Sequence, residues 1–190
     1  MPPKAYDATS HLLLTPEDSE APHRVVRLRE LGIGGAPVAE FDEFARDLAR
    51  LTGAPYAMVN FIDEHRQFFA GLHTPPASGA EPGTAPGRSV PGRVMPRDHG
   101  YCPHVIARRR ALVLEDVCDY PRFAGNPMVD EIGVRSYLGA PLMDRTGMAL
   151  GTVCVVAQEP RPWGLQGLQT IKAKAADLVA GILRRERRSP

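Results

Sequence analysis

The chain has 190 residues and a formal net charge of +1, which is long enough for one domain with a hydrophobic core and terminal tails. A charge this close to neutral argues against binding nucleic acid or a membrane surface through bulk electrostatics. The N-terminal apolar run, Leu12 to Leu14, is too short for a signal-peptide core, and we expect a cytoplasmic protein. The three cysteines, Cys102, Cys118 and Cys154, form no C-x-x-C pair, which fits a reducing compartment and argues against a disulfide framework.

The N-terminal region predicts a tail followed by two helices. Residues 1–22 are rich in Pro, Asp, Glu and Ser and lack hydrophobic periodicity, which predicts a flexible tail before a single domain over 23–188. The segment "RVVRLRELG" has apolar residues at helical spacing and ends at Gly32. A second amphipathic helix is predicted from Pro37 to Gly53.

A β-hairpin and a long loop follow. The segments "APYAMVNFID" and "RQFFAGLH" are rich in aromatic and β-branched residues and predict a hairpin over residues 54–73. From about residue 75 to 97 the chain is dense in Pro and Gly, with almost no apolar residues. A loop of this length is usually disordered or functional. Simple disorder is our first interpretation, and a lid over a site is the alternative.

The stretch "DHGYCPHVIARRR" combines two histidines, a tyrosine and a cysteine, and predicts a short helix from about Tyr101 to Arg109. Asp98 is a candidate N-cap. Pro103 places the start of the helix near Cys102, because proline is tolerated only in a first turn. The arginines at its end favour a solvated, dipole-stabilised terminus over a phosphate site.

The C-terminal half predicts three strands, a short helix and a long final helix. "ALVLED" is a short strand, "MVDEIG" is one or two helical turns, and "VRSYLGAPLMD" and "MALGTVCVVA" form a hairpin around a turn at 144–147. The final helix, at about 163–188, has apolar residues spaced 3, 4, 3 and 4 apart, which is typical of a coiled-coil dimer seam. They are Leu168, Ile171, Ala175, Leu178 and Ile182. A helix packed on its own sheet is the alternative, and the two are compatible.

This order of elements predicts an α+β fold with a mostly antiparallel sheet that is covered on both faces. The terminal helices would cover one face. The middle helices and loops would cover the other face and leave room for a cavity.

Several segments, taken together, resemble a GAF domain of a bacterial signalling subfamily. In the family's order they are "RLRELGIG", "FDEFARDLARLTGAPYAMVNFIDEHRQFFAGL", "GYCPHVIARRRALVLEDVCDYPRFAGNPMVDEIGVRSYLGAPL" and "ALGTVCVV". The resemblance implies a GAF/PAS-like antiparallel sheet of about six strands. It also implies a small-molecule pocket on one face, and on the other face terminal helices that commonly form a dimer.

No ligand signature of the family is matched well, so the ligand and any cofactor stay unidentified. The Asn-Lys-Phe-Asp-Glu set of the cyclic-nucleotide-binding members is shared only loosely, through Asn126, Asp130 and Glu131. Bilin-binding members attach their chromophore through a cysteine beside a histidine, whereas a proline separates the two in this chain.

The resemblance implies a ligand-binding wall of eight residues: Phe69, His99, Tyr101, Cys102, His104, Phe123, Asn126 and Tyr137. Cys102 is also the redox candidate, because a thiol in the first turn of a helix has a lowered pKa. Its alternative role is packing as a buried apolar residue, which is also our interpretation of Cys154. His99, Cys102 and His104 have the order of metal ligands, but helical positions two apart diverge by roughly 200°, so no metal site is predicted.

One enzyme class within the family, the free methionine-(R)-sulfoxide reductases, needs a catalytic and a resolving cysteine. Cys102 matches one of their cysteine positions, whereas the catalytic cysteine is implied near Ala124 or Gly125, where this chain has none. We therefore predict a non-enzymatic sensory or regulatory module without catalytic residues. It binds an unknown small molecule or senses redox state, and it signals through a helix-mediated homodimer. A separate signalling protein is a second candidate partner. The alternatives are a reductase that uses Cys102 and a dimerisation scaffold with a vestigial pocket.

Overall fold

A six-stranded antiparallel sheet forms the centre of the fold in the computed structural model, which describes residues 6–7, 12–13, 15–76 and 92–187. The strands are β1 (Tyr6–Asp7), β2 (Leu12–Leu13), β3 (Tyr56–Ile62), β4 (Arg66–His73), β5 (Val94–Pro96), β6 (Leu112–Leu114), β7 (Ser136–Met143) and β8 (Ala149–Ala157). The sheet has the order β5-β4-β3-β8-β7-β6, and β1 and β2 pair separately.

The helices lie on both faces of the sheet. They are α1 (Ala21–Glu30), α2 (Ala39–Thr52), α3 (Cys102–Arg108), α4 (Pro121–Ala124), α5 (Pro127–Glu131) and α6 (Gly164–Glu186), with a 3₁₀ turn at Val117–Asp119. The predicted α+β fold, with about six antiparallel strands between helical layers, is confirmed.

Each face of the sheet carries its own hydrophobic core, because side chains alternate along a strand. In β3, Val59 and Phe61 pack toward α1, α2 and α6. Met58 and Ile62 belong to the core formed with α3, α4 and α5. The two predicted hairpins, β3–β4 and β7–β8, meet at the centre of the sheet, where β3 pairs with β8. Cys154 of β8 therefore lies between Met58 and Gly139.

The apolar stripe of α6 packs on the sheet of its own chain. Four of its five predicted seam residues are at most 7% exposed: Ile171, Ala175, Leu178 and Ile182. Leu168 is half-buried. The interpretation of α6 as a helix packed on its own sheet is thus correct for these residues.

Helix ends differ from the predicted ones by a few residues. α2 begins at Ala39 rather than Pro37, and it ends, as predicted, at Gly53 with φ of +68°. The predicted N-cap of α3 is wrong: the residue before the helix is Tyr101, which makes no side-chain cap, and Asp98 lies outside the first turn.

The predicted tail, residues 1–22, and the predicted loop, about 75–97, lie partly outside the described residues. The described end of the tail contacts the domain, since Asp18 pairs with the fully buried Arg24, whose Nε donates to Ile62 O at 2.8 Å. At the other end of the loop, β5 adds an edge strand to β4 that its proline-rich surroundings did not predict.

Candidate ligand pocket and buried thiol pair

The entry to α3 is fixed by a pair of hydrogen bonds between Gly100 and Asn126. Gly100 has φ of +71°, and its N–H donates to Asn126 Oδ1 at 2.9 Å. Asn126 Nδ2 donates back to Gly100 O at 2.9 Å, and Asn126 Oδ1 also accepts the Met128 N–H at 3.1 Å as the N-cap of α5. Asn126 therefore ties the start of α3 to the start of α5.

An apolar cavity of about 30 Å³ lies between the sheet and these short helices. It is lined by Met58, Phe69, Met95, Gly100, Tyr101, Cys102, Met128, Ile132, Val134, Tyr137, Cys154 and Val156. An ordinary small-molecule pocket has roughly 300–1,000 Å³. Only a molecule of a few atoms fits here without movement of the wall.

Four of the eight predicted ligand-binding residues line this cavity: Phe69, Tyr101, Cys102 and Tyr137. The three methionines of the wall, from β3, β5 and α5, were missed, because a methionine in an apolar pattern does not signal a pocket. Cys154 was missed for the same reason, since it occupies an ordinary inward position in the central strand.

The other four predicted residues lie outside the lining. The His104 ring packs edge-on against Phe123, with ring centroids 5.0 Å apart. His99 Nδ1 is 2.9 Å from Asp98 Oδ1, and its Nε2 is 3.3 Å from Glu131 Oε1. Within the described ranges, no group of three His, Cys, Asp or Glu side chains is arranged to hold a metal ion.

Cys102 and Cys154 form a buried thiol pair in the wall of the cavity. Their Sγ atoms are 3.6 Å apart, and Cys102 Sγ is 3.4 Å from the Tyr137 hydroxyl. The contact with Cys154 lowers the pKa of the Cys102 thiol; burial opposes this effect, and the Tyr137 hydroxyl adds to it. The same contact, with burial, raises the pKa of Cys154 well above its ordinary value. Cys102 is therefore the thiol of the pair that ionises first.

Tyr137 supplies a hydroxyl that stays protonated. Burial raises its pKa well above the ordinary value, and the neighbouring Cys102 adds to this shift. Its ring packs edge-on against Tyr101, with centroids 5.3 Å apart, and Tyr101 in turn donates to Phe123 O at 3.3 Å. A neutral phenol can donate its proton to the Cys102 sulfur.

Polar side chains connect the thiol pair to the segment that enters α3. Asn60 Nδ2 donates to Gln67 Oε1 at 2.8 Å, and Gln67 Nε2 donates to Pro96 O and His99 O at 2.9 and 2.6 Å. The side chains of Asn60 and Thr152 lie next to the buried Cys102 thiol and lower its pKa. The network fixes the β5–α3 connection on the sheet.

The third cysteine does not belong to this site. Cys118 is exposed in the 3₁₀ turn, where its N–H donates to Asp116 Oδ1 at 3.0 Å. Ala124 ends α4 and Gly125 follows it, so no thiol occupies the position that the reductase resemblance implies.

The GAF domain family model matches residues 37–183, which is most of the chain. This protein therefore belongs to the GAF domain family. A cyclic di-GMP phosphodiesterase of Pseudomonas aeruginosa is 29% identical over 148 residues, which cover 77% of this chain and 22% of that protein. The chain thus spans about a fifth of the length of this curated relative.

Solved structures share the fold at low sequence identity. The GAF domain of an Acinetobacter phosphoenolpyruvate-protein phosphotransferase has a TM-score of 0.57 at 18% identity, covering 88% of this chain and 96% of that one. A free methionine-R-sulfoxide reductase of Neisseria meningitidis, solved with its substrate, has a TM-score of 0.59 at 15% identity, covering 93% and 97%. At these identities the likeness concerns the fold alone.

No helix among the described residues is both long and apolar enough to span a membrane.

Proposed function

We propose that this GAF domain is a non-enzymatic sensory module that responds to a small, mainly apolar molecule bound in the cavity beside α3. The observation that carries the proposal is the apolar cavity between a hydrogen-bonded sheet and three short helices. The polar groups in its lining side chains are the Tyr101 and Tyr137 hydroxyls and the thiols of Cys102 and Cys154. Such a lining favours an uncharged ligand, because a buried charge without a partner is costly.

Binding would move the helical side of the pocket rather than the sheet. Cavity-lining residues in β3 and β8 lie in the hydrogen-bonded interior of the sheet, whereas Met95 and Gly100 are only half-buried. The methionine side chains of the cavity wall can rearrange readily around a bound ligand. Because Asn126 joins α5 to Gly100, a displacement of α5 would be transmitted to the start of α3. Ligand binding in the cavity would in this way change the positions of α5 and α3 relative to the sheet.

The cysteine pattern supports a non-enzymatic role. A sulfoxide reductase of this fold would need its catalytic thiol near position 124, and Ala124 stands there.

Native mass spectrometry of the freshly purified full chain tests the proposal. We expect a non-covalent mass in addition to the polypeptide. Val134→Phe, which fills the cavity, should abolish the additional mass, because Val134 lines the pocket and is 2% exposed. Val26→Phe is the matched control, since Val26 is 54% exposed on α1. Thermal melting checks that both variants fold.

Two results would contradict the ligand proposal. One is a wild-type mass equal to that of the polypeptide alone. The other is an additional mass that a folded Val134→Phe variant keeps, which would place the bound molecule elsewhere.

We also propose that the signal leaves through a second copy of the chain bound along α6. Supporting this is a groove of about 520 Å³ between α6, β7 and the connection from α3 to β6, and the stripe residues Leu168 and Ala175 form part of its lining. Its floor includes Ala140, Pro141 and Leu168, and Arg110 and Lys172 lie at its rim. A separate signalling protein is the competing occupant of this groove.

A further inference from the structure

Cys102 and Cys154 are close enough to form a bond after a small movement. A disulfide has its sulfurs about 2.05 Å apart, so the observed 3.6 Å leaves roughly 1.5 Å to close. Cys154 is held in β8 between β3 and β7, at the centre of the sheet. Cys102 lies in a helix of seven residues, flanked by Gly100 and by Arg109, both with positive φ. The short helix is therefore the part that would move.

The surroundings of the two sulfurs give them different chemical roles. Cys102 Sγ lies within hydrogen-bonding distance of both the Tyr137 hydroxyl and the Cys154 thiol. Both groups can donate a proton to a sulfur anion, which lowers the pKa of Cys102. Cys154 stays protonated because its own pKa is raised. The arrangement is that of an attacking thiolate with a resolving thiol beside it.

Both sulfurs line the same cavity, whose wall reaches the half-buried Met95 and Gly100. A cavity of about 30 Å³ is large enough for an oxidant of a few atoms.

We propose that Cys102 and Cys154 are a site of reversible oxidation, at which a hydroperoxide converts the pair into an intramolecular disulfide. This proposal does not depend on whether the cavity also binds the proposed apolar ligand.

The chemistry balances in two steps. The Cys102 thiolate attacks the terminal oxygen of the hydroperoxide and the O–O bond breaks. The leaving alkoxide takes the proton that the Cys102 thiol had released, giving an alcohol and a sulfenic acid on Cys102. Cys154 Sγ then attacks Cys102 Sγ, the S–O bond breaks, and hydroxide leaves with the Cys154 proton as water. Two thiols lose two electrons, the peroxide gains them, and an external dithiol reverses the reaction.

The test uses the full chain carrying Cys118→Ser, which removes the exposed third thiol. The reduced protein is treated with hydrogen peroxide, alkylated in denaturant, and examined by intact-mass measurement and non-reducing peptide mapping. We expect the loss of two hydrogens, a peptide pair that joins Cys102 to Cys154, and full reversal by dithiothreitol. Adding Cys154→Ala should prevent the cross-link and leave a sulfenic acid on Cys102 that dimedone traps.

Tyr137→Phe tests the positioning role of the hydroxyl. Loss of this donor should raise the pKa of Cys102, so that the pH profile of disulfide formation moves to higher pH and the rate falls most at pH values below the Cys102 pKa. A merely structural role of Tyr137 would change stability without moving the pH profile.

The proposal is overturned if the folded Cys118→Ser protein keeps both thiols after peroxide treatment. It is equally overturned if the two sulfurs oxidise separately, or if the cross-link forms only in unfolded protein. Thermal melting before oxidation establishes that each variant is folded. The mapping on Cys118→Ser decides the question even if Cys154→Ala is too unstable to use.

Discussion

Tyr137 lies across its own strand, and Gly139 leaves the space for its ring. A Cβ atom at position 139 would lie 2.2 Å from the Tyr137 hydroxyl and 2.6 Å from the adjoining ring carbon. Since Gly139 is also the strand neighbour of Cys154, this glycine keeps the tyrosine hydroxyl beside the thiol pair.

Gly139→Ala should therefore displace Tyr137 and destabilise the domain by roughly 1–3 kcal/mol, the usual cost of overpacking a core. Denaturant unfolding measures the change. Gly125→Ala is the matched control, because a Cβ there meets nothing within 4 Å, and we expect a change of at most about 0.5 kcal/mol. Equal unfolding midpoints for the two variants would show that Tyr137 does not need this space.

The resemblance to GAF domains implied a place for Cys102 in the pocket wall but did not reveal its partner. Cys154 is 52 positions further along, within an unbroken buried strand, and looked like core packing. Only the register of β8 against its neighbours, together with the docking of α3, brings the two sulfurs together. A single sequence does not contain that register explicitly. Asn126 was similarly expected to contact a ligand, and its contacts with Gly100 and Met128 were not foreseen.

Asp42 joins three elements on the opposite side of the sheet. Its carboxylate accepts the Leu72 N–H of β4 at 2.8 Å and a hydrogen bond from Arg93, next to β5, at 2.8 Å. Arg93 also donates to Phe69 O at 3.0 Å. Burial opposes ionisation, but the bonds from Arg93 and Leu72 lower the pKa of Asp42. The interaction holds the end of the long loop on α2 and β4.

Asp42→Asn should cost about 1–2 kcal/mol, because it weakens hydrogen bonds to a charged group. Because the pKa of Asp42 is lower in the folded than in the unfolded protein, its ionised carboxylate stabilises the fold at pH values above the unfolded-state pKa of about 4. This stabilisation is lost as the pH falls through the folded-state pKa of Asp42. The gap between wild type and variant should therefore shrink below about pH 4 in unfolding measurements. Asp47→Asn, at an exposed ion pair on the same helix, is the control and should change stability by about 0.5 kcal/mol or less. A gap for Asp42→Asn that is independent of pH would contradict this role.

Among the secondary-structure elements, hydrophobic periodicity predicted the long strands and helices but not the short edge strand β5. Both long hairpins follow from their aromatic and β-branched strands, and α2 follows from its apolar face and terminal Gly53. β5 was not predictable, because Val94–Pro96 lies in a proline-rich stretch and pairs through only three residues. The α6 pattern fitted two arrangements, since a 3-4 spacing serves a sheet as well as a partner helix.

In the whole molecule, proposed ligand binding and proposed dimerisation lie on opposite faces of the sheet, each with its own hydrophobic core. The cavity lies in the core with α3, α4 and α5, whereas α1, α2 and α6 pack on the opposite face. Strands β3 and β8 contribute side chains to both cores, so the sheet is the physical connection between the cavity and the layer of α1, α2 and α6. The groove that a second copy would use is lined in part by two seam residues of α6, Leu168 and Ala175.

The homodimer prediction is tested by two alanines of α6. Ala176 lines the groove, whereas Ala173 is exposed on the same helix and does not line it. We expect light scattering after gel filtration to show a dimer for wild type and Ala173→Glu, and a monomer for Ala176→Glu, because a carboxylate in an apolar contact is costly. A monomeric wild type, or a dimer that survives Ala176→Glu, would contradict the proposed interface.

The proposal that the cavity beside α3 is a ligand site can be tested with a crystal structure of the freshly purified full chain. We expect electron density for a non-protein molecule bounded by Met58, Met128 and Tyr137, with α5 displaced outward from the sheet. A closed cavity of about 30 Å³ without such density, in protein whose native mass equals that of the polypeptide, would contradict the claim.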